Sequence, residues 1–258
     1  MAQSLGSRAV PTSAAAGRRP VSRSRFKSLD FTRVKAVTFD CYGTLIDWET
    51  GLLAALRRIL EAHGHGALSD REILDIYGEL EPRAQNPWRR YRQVLAEVTR
   101  GFGERLGFQV KNGEADSLAE SLKSWQPFPD TIAALEKLKS KFRLAIISNT
   151  DDDLFAATSR HLGIKFDEVI TAEQAKAYKP SAVPFRLALE RLGLSREEVL
   201  HAGQSVYHDV LPAKLLGMAT VLVQRRGFGA TRRTEGQPDL KVPDMQTLAE
   251  LAVGTPAD

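Results

Sequence analysis

Short apolar runs alternate along this chain with longer stretches in which apolar residues recur every three or four positions. The first run, Val34–Phe39, is rich in β-branched residues and breaks at Asp40, after which Tyr42-Gly43-Thr44 turns the chain. An apolar run of this length between turn signals is the pattern of a buried strand. Arg143–Ile147, Glu168–Ile170, Val199–Ala202 and Thr220–Val223 repeat it. Helical spacing predicts helices after Asp130 (its cap), over Asp152–Leu162 and Val183–Leu192, through Leu216 and over Met245–Leu251; Ser195 with Glu198 reads as a capping box. Strands alternating with helices predict an α/β protein with a parallel sheet.

One block departs from this alternation. Residues 48–126 carry four helical stretches and no strand: Trp48–Ala62, a helix opened by Ser69 with Glu72 as a capping box, Trp88–Leu106, and Glu114–Trp125, with Pro82 and Pro87 as punctuation. The block reads as an inserted helical domain. The expected division is a core over 31–47 and 127–254, a helical cap over 48–126, and a basic, disordered tail over 1–30, whose Ala, Ser, Arg, Pro and Gly cannot bury a core.

At 258 residues and 43% hydrophobic, the chain is long enough for a real core. No apolar run approaches transmembrane length, so no membrane partner is expected. The formal charge is +4, yet residues 1–29 hold six basic residues and no acidic one. The positive charge therefore belongs to the tail and not to a binding face, and nucleic acid is not an expected partner. A single cysteine, Cys41, excludes an intramolecular disulfide and fits a reducing, cytoplasmic setting. An Arg- and Ser-rich, acid-free tail also fits an organellar transit peptide. Cys41 is expected to be a small buried spacer, and His63 with His65 a solvated helix terminus, since no thiol or carboxylate stands at metal-ligand spacing.

The polar residues of interest recur at one place in the pattern. Asp40, Ser148-Asn149, Lys179 and Asp209 each follow or lie near the end of a predicted strand, and in a parallel sheet those ends share one edge. A carboxylate in such a turn, beside a lysine and neutral donors, suits nucleophilic catalysis by Asp40. Lys179 would keep it ionised; Thr44, Ser148 and Asn149 would hold its oxygens or the substrate. Tyr42, Leu45, Tyr91, Ser205 and His208 are the expected substrate contacts. Trp48, Trp88, Phe102 and Trp125 add aromatic surface in or near the cap, and His208 is expected to titrate near neutral pH.

Phe39-Asp-Cys-Tyr-Gly-Thr-Leu-Ile-Asp47, Ile146-Ile-Ser-Asn149, Tyr178-Lys-Pro180 and Gly203-Gln-Ser-Val-Tyr-His-Asp209 together resemble the four ordered motifs of the haloacid dehalogenase-like superfamily. The resemblance spans about residues 34–230. It implies a Rossmann-like, doubly wound parallel sheet core with the α-helical cap closing over it. It also implies Asp40 as nucleophile, with Ser148, Lys179 and Asp209 in the later motifs. The superfamily's phosphatases carry a second Asp where Tyr42 stands, and a Mg²⁺-binding Asp where Gln204 stands. These departures resemble instead the type II L-2-haloacid dehalogenases. The implied reaction displaces halide from a 2-haloalkanoic acid, forms an ester on Asp40 and hydrolyses it to a 2-hydroxy acid, with no metal or organic cofactor. A Mg²⁺-dependent phosphatase and a non-enzymatic binding protein remain the alternatives. Those dehalogenases place an arginine on the cap, for which Arg71, Arg83, Arg89, Arg90 and Arg92 are candidates. Ser205-Val-Tyr-His208 and Phe185 depart from their pattern. The expected partner is a small-molecule substrate, and a homodimer is the assembly the resemblance suggests.

Overall fold

The computed structural model describes residues 29–111, 113–225, 227 and 234–254; the expected basic tail lies, up to residue 28, outside the described residues. Strand β1 (Ala36–Phe39) is buried at every position. The cap follows as α1 (Trp48–Ala62), α2 (Asp70–Ala84), α3 (Tyr91–Leu106) and α4 (Glu114–Ser121). The core resumes with α5 (Thr131–Lys139), β2 (Arg143–Ser148), α6 (Asp152–Leu162), β3 (Glu168–Thr171), α7 (Ala172–Ala175) and α8 (Val183–Leu192). It ends with β4 (Val199–Gly203), α9 (Leu211–Leu215), β5 (Ala219–Val223), β6 (Leu240–Val242) and α10 (Met245–Val253).

The six strands form one parallel sheet in the order β3-β2-β1-β4-β5-β6. This is the doubly wound arrangement expected from the strand–helix alternation. Strands covered on both faces must be apolar throughout, which is why they read as short continuous runs. The order reverses at β1, flanked by β2 and β4. Phe39 stands level with Ile146 and Ala202, and the Asp40 N–H donates to the Ala202 carbonyl at 3.1 Å. The end of β1 thus opens at the topological switch point, where such sheets hold ligands.

Within the cap, α1 packs on α2 and α4, and α3 packs on α2 and α4. Both halves of the Ser69–Glu72 capping box form. The cap is anchored to the core by Asp151, just after β2. Its buried carboxylate accepts from the Tyr91 and Arg92 N–H groups at 2.8 and 2.9 Å and so caps α3 from outside the helical block.

Several sequence expectations change in detail. Helix α2 continues through Pro82 to Ala84, so that proline does not end it. Helix α3 starts at Tyr91 and not Trp88, because Arg90 is extended as its N-cap; Trp88 lies at the surface under the Lys176 ammonium. The fourth cap helix ends at Ser121 and gives way to a 3₁₀ turn. Ser195 and Glu198 complete a capping box, but on a single 3₁₀ turn. Asp130 is the N-cap residue of α5, but its side chain makes no capping hydrogen bond there. Its carboxylate instead accepts from the Met245 N–H and from Arg225 Nη1, both at 2.7 Å, tying α5 to α10. His63 is not a solvated terminus: its ring stacks on Phe108 at 4.2 Å and its Nε2 lies 3.0 Å from Glu114. Strand β6 is an addition to the expected strands: Leu240-Lys241-Val242 alternates apolar and polar, but three residues between Pro238 and Pro243 are too few to set a strand apart from a loop.

Candidate active site

The chain leaves β1 at Asp40 and turns at once. Gly43 takes φ +98, a conformation costly for residues with a Cβ, and its N–H donates to the Ile46 carbonyl at 2.8 Å. The turn places Thr44 so that its hydroxyl donates to Asp40 Oδ2 at 2.8 Å and accepts from the Gln204 N–H at 2.9 Å. Arg225 Nε holds the same turn from behind through the Thr44 carbonyl at 2.9 Å.

Lys179 reaches in from the segment before α8. Its Nζ donates to Asp40 Oδ1 at 2.8 Å, Asp209 Oδ1 at 2.7 Å and the Ile147 carbonyl at 3.0 Å, which uses all three ammonium protons. Asn149 grips the Lys179 backbone from both sides: its Oδ1 accepts from the Lys179 N–H at 2.7 Å and its Nδ2 donates to the Lys179 carbonyl at 3.2 Å. Asp209 is buried within a π-helical turn, Val206–Val210, and its Oδ2 accepts from the Ser205 N–H at 3.1 Å. His201, inside β4, approaches Asp209 Oδ1 at 3.4 Å and Thr38 Oγ1 at 2.9 Å.

Two carboxylates sharing one ammonium cannot be equivalent. Burial disfavours charge on Asp209, but Lys179 and His201 hold it below the ordinary carboxylate range. For Asp40 burial wins, with Lys179 opposing and the Asp209 charge adding to it, so its pKa is raised. Burial also works against the Lys179 charge, yet the two carboxylates keep the ammonium above its usual value. Any reaction in which Asp40 attacks must therefore slow as pH falls through a pKa above the usual aspartate value of about 3.9. A pH–rate profile of covalent modification at Asp40 is expected to show its acid limb there.

A cavity of about 490 Å³ opens between cap and core. Asp40, Tyr42, Ser148, Asn149, Lys179, Ser205, His208 and Asp209 line it from the core, and Tyr91 lines it from the cap. Ser148 Oγ is buried without a hydrogen-bond partner, so it remains available to a ligand. Tyr42 presents its ring; its hydroxyl is 2.8 Å from Thr158 Oγ1, and the ring meets Trp125 edge-on. Leu45 is the exception among the expected contacts. It is fully buried and does not line the cavity, because the turn after Thr44 points it into the core. His208 does not titrate near neutrality: burial pushes its pKa down to about 4.

The cap side of the cavity was largely unforeseen. Trp48 is expected from the sequence, but Tyr77 and Glu81 of α2 and Gln85, the residue that caps its C-terminus, also line it, and Tyr207 adds to the core side. Their signal was the four-residue spacing of 77, 81 and 85, which puts three polar side chains on one helical face. None of the five candidate arginines lines the cavity. Arg71 pairs with Asp75, Arg90 with Asp153 and Glu173, and Arg92 with Asp153.

The donor set does not fit a divalent cation. Mg²⁺ needs anionic oxygens, whereas Asp40 and Asp209 are bridged by an ammonium and Gln204 is neutral. Among the described residues no cluster of three or more His, Cys, Asp or Glu could hold a metal ion.

Gly203 matters for close approach. A Cβ there would stand 2.4 Å from Asp209 Cγ and Oδ2. Gly203→Ala is expected to cost about 1–3 kcal/mol in a thermal or denaturant melt, the usual range for forcing extra volume into a packed interior.

The haloacid dehalogenase-like hydrolase profile matches residues 34–217, and the chain belongs to that family of hydrolases. It is 27% identical to haloacetate dehalogenase H-2 of Moraxella sp. (strain B), over 85% of this chain and 98% of that one. It is 28% identical to a putative pyrophosphatase of Clostridium perfringens (strain 13 / Type A), over 84% of this chain and 97% of that one. The crystal structure of an L-2-haloacid dehalogenase superposes with a TM-score of 0.71 at 25% identity, covering 84% of this chain and 97% of that one. The relatives divide between carbon–halide and phosphate names, and the choice falls to the residues of the site.

Proposed function

We propose that this hydrolase cleaves a carbon–halogen bond at the carbon next to a carbonyl, through an ester on Asp40 and without a metal ion. The observation that carries the reading is the state of Tyr42. A phosphate ester needs a proton on its leaving oxygen, and the superfamily's phosphatases supply it from a carboxyl at this position. Here the position holds a phenol whose hydroxyl is engaged with Thr158 and whose pKa burial drives far up, so it is no proton donor. Halide leaves without a proton. The haloacetate dehalogenase among the relatives supports the same reaction class.

In the first step an Asp40 oxygen attacks the carbon, the C–O bond forms, and the halide departs with the bonding pair. Lys179 orients the attacking carboxylate. In the second step water adds to the Asp40 carbonyl carbon and the C–O bond to Asp40 breaks. The alcohol is released, one proton goes to solvent, and Asp40 returns as carboxylate. Lys179 offsets charge on the tetrahedral intermediate, and Asp209 holds Lys179 in place. The 2-haloalkanoic acids, giving 2-hydroxy acids, are the simplest members of the substrate class. The alternative phosphatase reading has relatives on its side but lacks both the acid and the metal carboxylate. Halide release from L- and D-2-chloropropionate and from 2-chloropropionamide, in EDTA, tests the proposal. No halide from any of these, together with EDTA-sensitive release of phosphate from an aryl phosphate, would overturn it.

A further inference from the structure

The cap wall of the cavity has a chemistry of its own. Helix α2 and its C-cap present Tyr77, Glu81 and Gln85 at four-residue spacing, and Trp48 and Tyr91, each at the start of its helix, stand beside them. The Trp48 and Tyr77 rings are 5.7 Å apart. The Tyr77 and Tyr91 hydroxyls are 3.0 Å apart, Tyr91 hydrogen-bonds to Glu81, and Gln85 Nε2 donates to Glu81 Oε1 at 2.6 Å. A carboxyl group is thus fixed in an aromatic surround, facing the cavity that Asp40 faces from below. Pro82, one residue on, has no N–H for the Gly78 carbonyl four residues back, and Gly78 and Pro82 also line the cavity.

The charge balance runs against a carboxylate ligand. Asp40, Asp209 and Glu81 contribute three carboxyl groups, and Lys179 is the sole lining lysine or arginine among the described residues. Its protons are already committed. His208 is neutral at pH 7. A carboxylate head group would stand beside Asp40 and Asp209 with no free lysine or arginine among the described lining residues to pair with, which is how a site rejects a ligand.

We infer that Glu81 selects the head group of the substrate, favouring 2-halo compounds that end in an N–H donor, an amide or an ammonium, over 2-haloalkanoate anions. This rests on the reading of Asp40 as the alkylated nucleophile. The Glu81 carboxyl can accept from an N–H donor, and the rings of Trp48, Tyr77 and Tyr91 suit a cationic or polarised N–H group. Burial lifts the Glu81 carboxyl to about 7, with hydrogen bonds from Tyr91 and Gln85 offsetting part of that rise. No lysine or arginine among the described lining residues is left to pair with it, and an N–H donor on the ligand would hydrogen-bond to it.

Two measurements separate this inference from the reaction beneath it. Binding of unreactive propionamide and propionate, followed by ligand-observed NMR, reads head-group choice without chemistry. Wild type is expected to bind propionamide at least tenfold more tightly, and Glu81→Gln to shrink that ratio to within about threefold, with its fold checked by circular dichroism. Halide release from 2-chloropropionamide and 2-chloropropionate should follow the same order. Equal or tighter binding of propionate by wild type, or an unchanged ratio in Glu81→Gln, overturns the inference, and halide release would then still support the reaction. Amide preference without halide from either compound keeps the head-group assignment and overturns the dehalogenation reading.

Discussion

Replacing Asp40 by Asn is expected to abolish halide release, lowering kcat by about 10⁴-fold or more, the scale seen when a covalent nucleophile is removed. An amide oxygen is a far weaker nucleophile than a carboxylate, and no other side chain takes Asp40's place beside Lys179: Asp209 approaches the same ammonium from the other side and is buried. The fold should persist, because Lys179 keeps Asp209 and the Ile147 carbonyl as partners. Circular dichroism and a melting curve check that. The companion measurement is a single turnover of wild type in H₂¹⁸O. Label is expected in the Asp40 carboxyl, because water attacks the ester carbonyl and not the substrate carbon. Labelled product from an unlabelled enzyme would mean direct displacement by water and would end the ester mechanism.

Lys179→Met is expected to lose both activity and stability. Lys179 is 2% exposed and holds two carboxylates. Removing the shared partner of a buried ion group costs about 3–5 kcal/mol, because the remaining charges stay desolvated. A denaturant melt at pH 7 should show a loss of this order. The deficit should shrink as pH is lowered, and the sign follows from linkage. In the variant both carboxyls have raised folded-state pKa values, so the native state takes up protons more readily than the unfolded chain and gains stability as pH falls. In wild type Asp209 has a depressed pKa, so its contribution, present above the unfolded value of about 3.9, is lost as pH falls through the folded one. Both trends close the gap on the acid side. Adding Asp209→Asn to Lys179→Met should recover part of the loss at pH 7, since one unpaired charge is then gone.

The core-side residues were legible in the sequence because each sits in a local pattern. An apolar strand that ends in Asp40, Ser148 or Gly203 announces both its burial and its exit point. The parallel register then brings the three exits to one level. Lys179 and Asp209 follow from the same logic. The cap was legible as four helices but not as a wall. The aromatic residues named in it scattered: Trp48 and Tyr91 line the cavity, Phe102 and Trp125 are buried, and Trp88 lies at the surface. Helical spacing assigns a residue to a face, but it does not say which partner that face meets. Glu81 shows the gap well. In the sequence it is one acidic residue in an acidic helix; in the structure it is half-buried and lines the cavity that Asp40 lines, its carboxyl lifted to about 7.

By itself the sequence determined the class of sheet, the place of the inserted helices and the group of residues at the strand ends, including Tyr42 and Gln204, on which the proposed halide chemistry rests. These are properties of contiguous segments, set by burial period and turn chemistry within a few residues. Tertiary structure alone decided the rest: that Lys179 bridges both carboxylates, that Asp151 caps α3, that His208 is neutral, and that Glu81, and none of the five candidate arginines, lines the cavity with Asp40. Each depends on which distant surfaces meet and how far they exclude water, and charge state and specificity are set there.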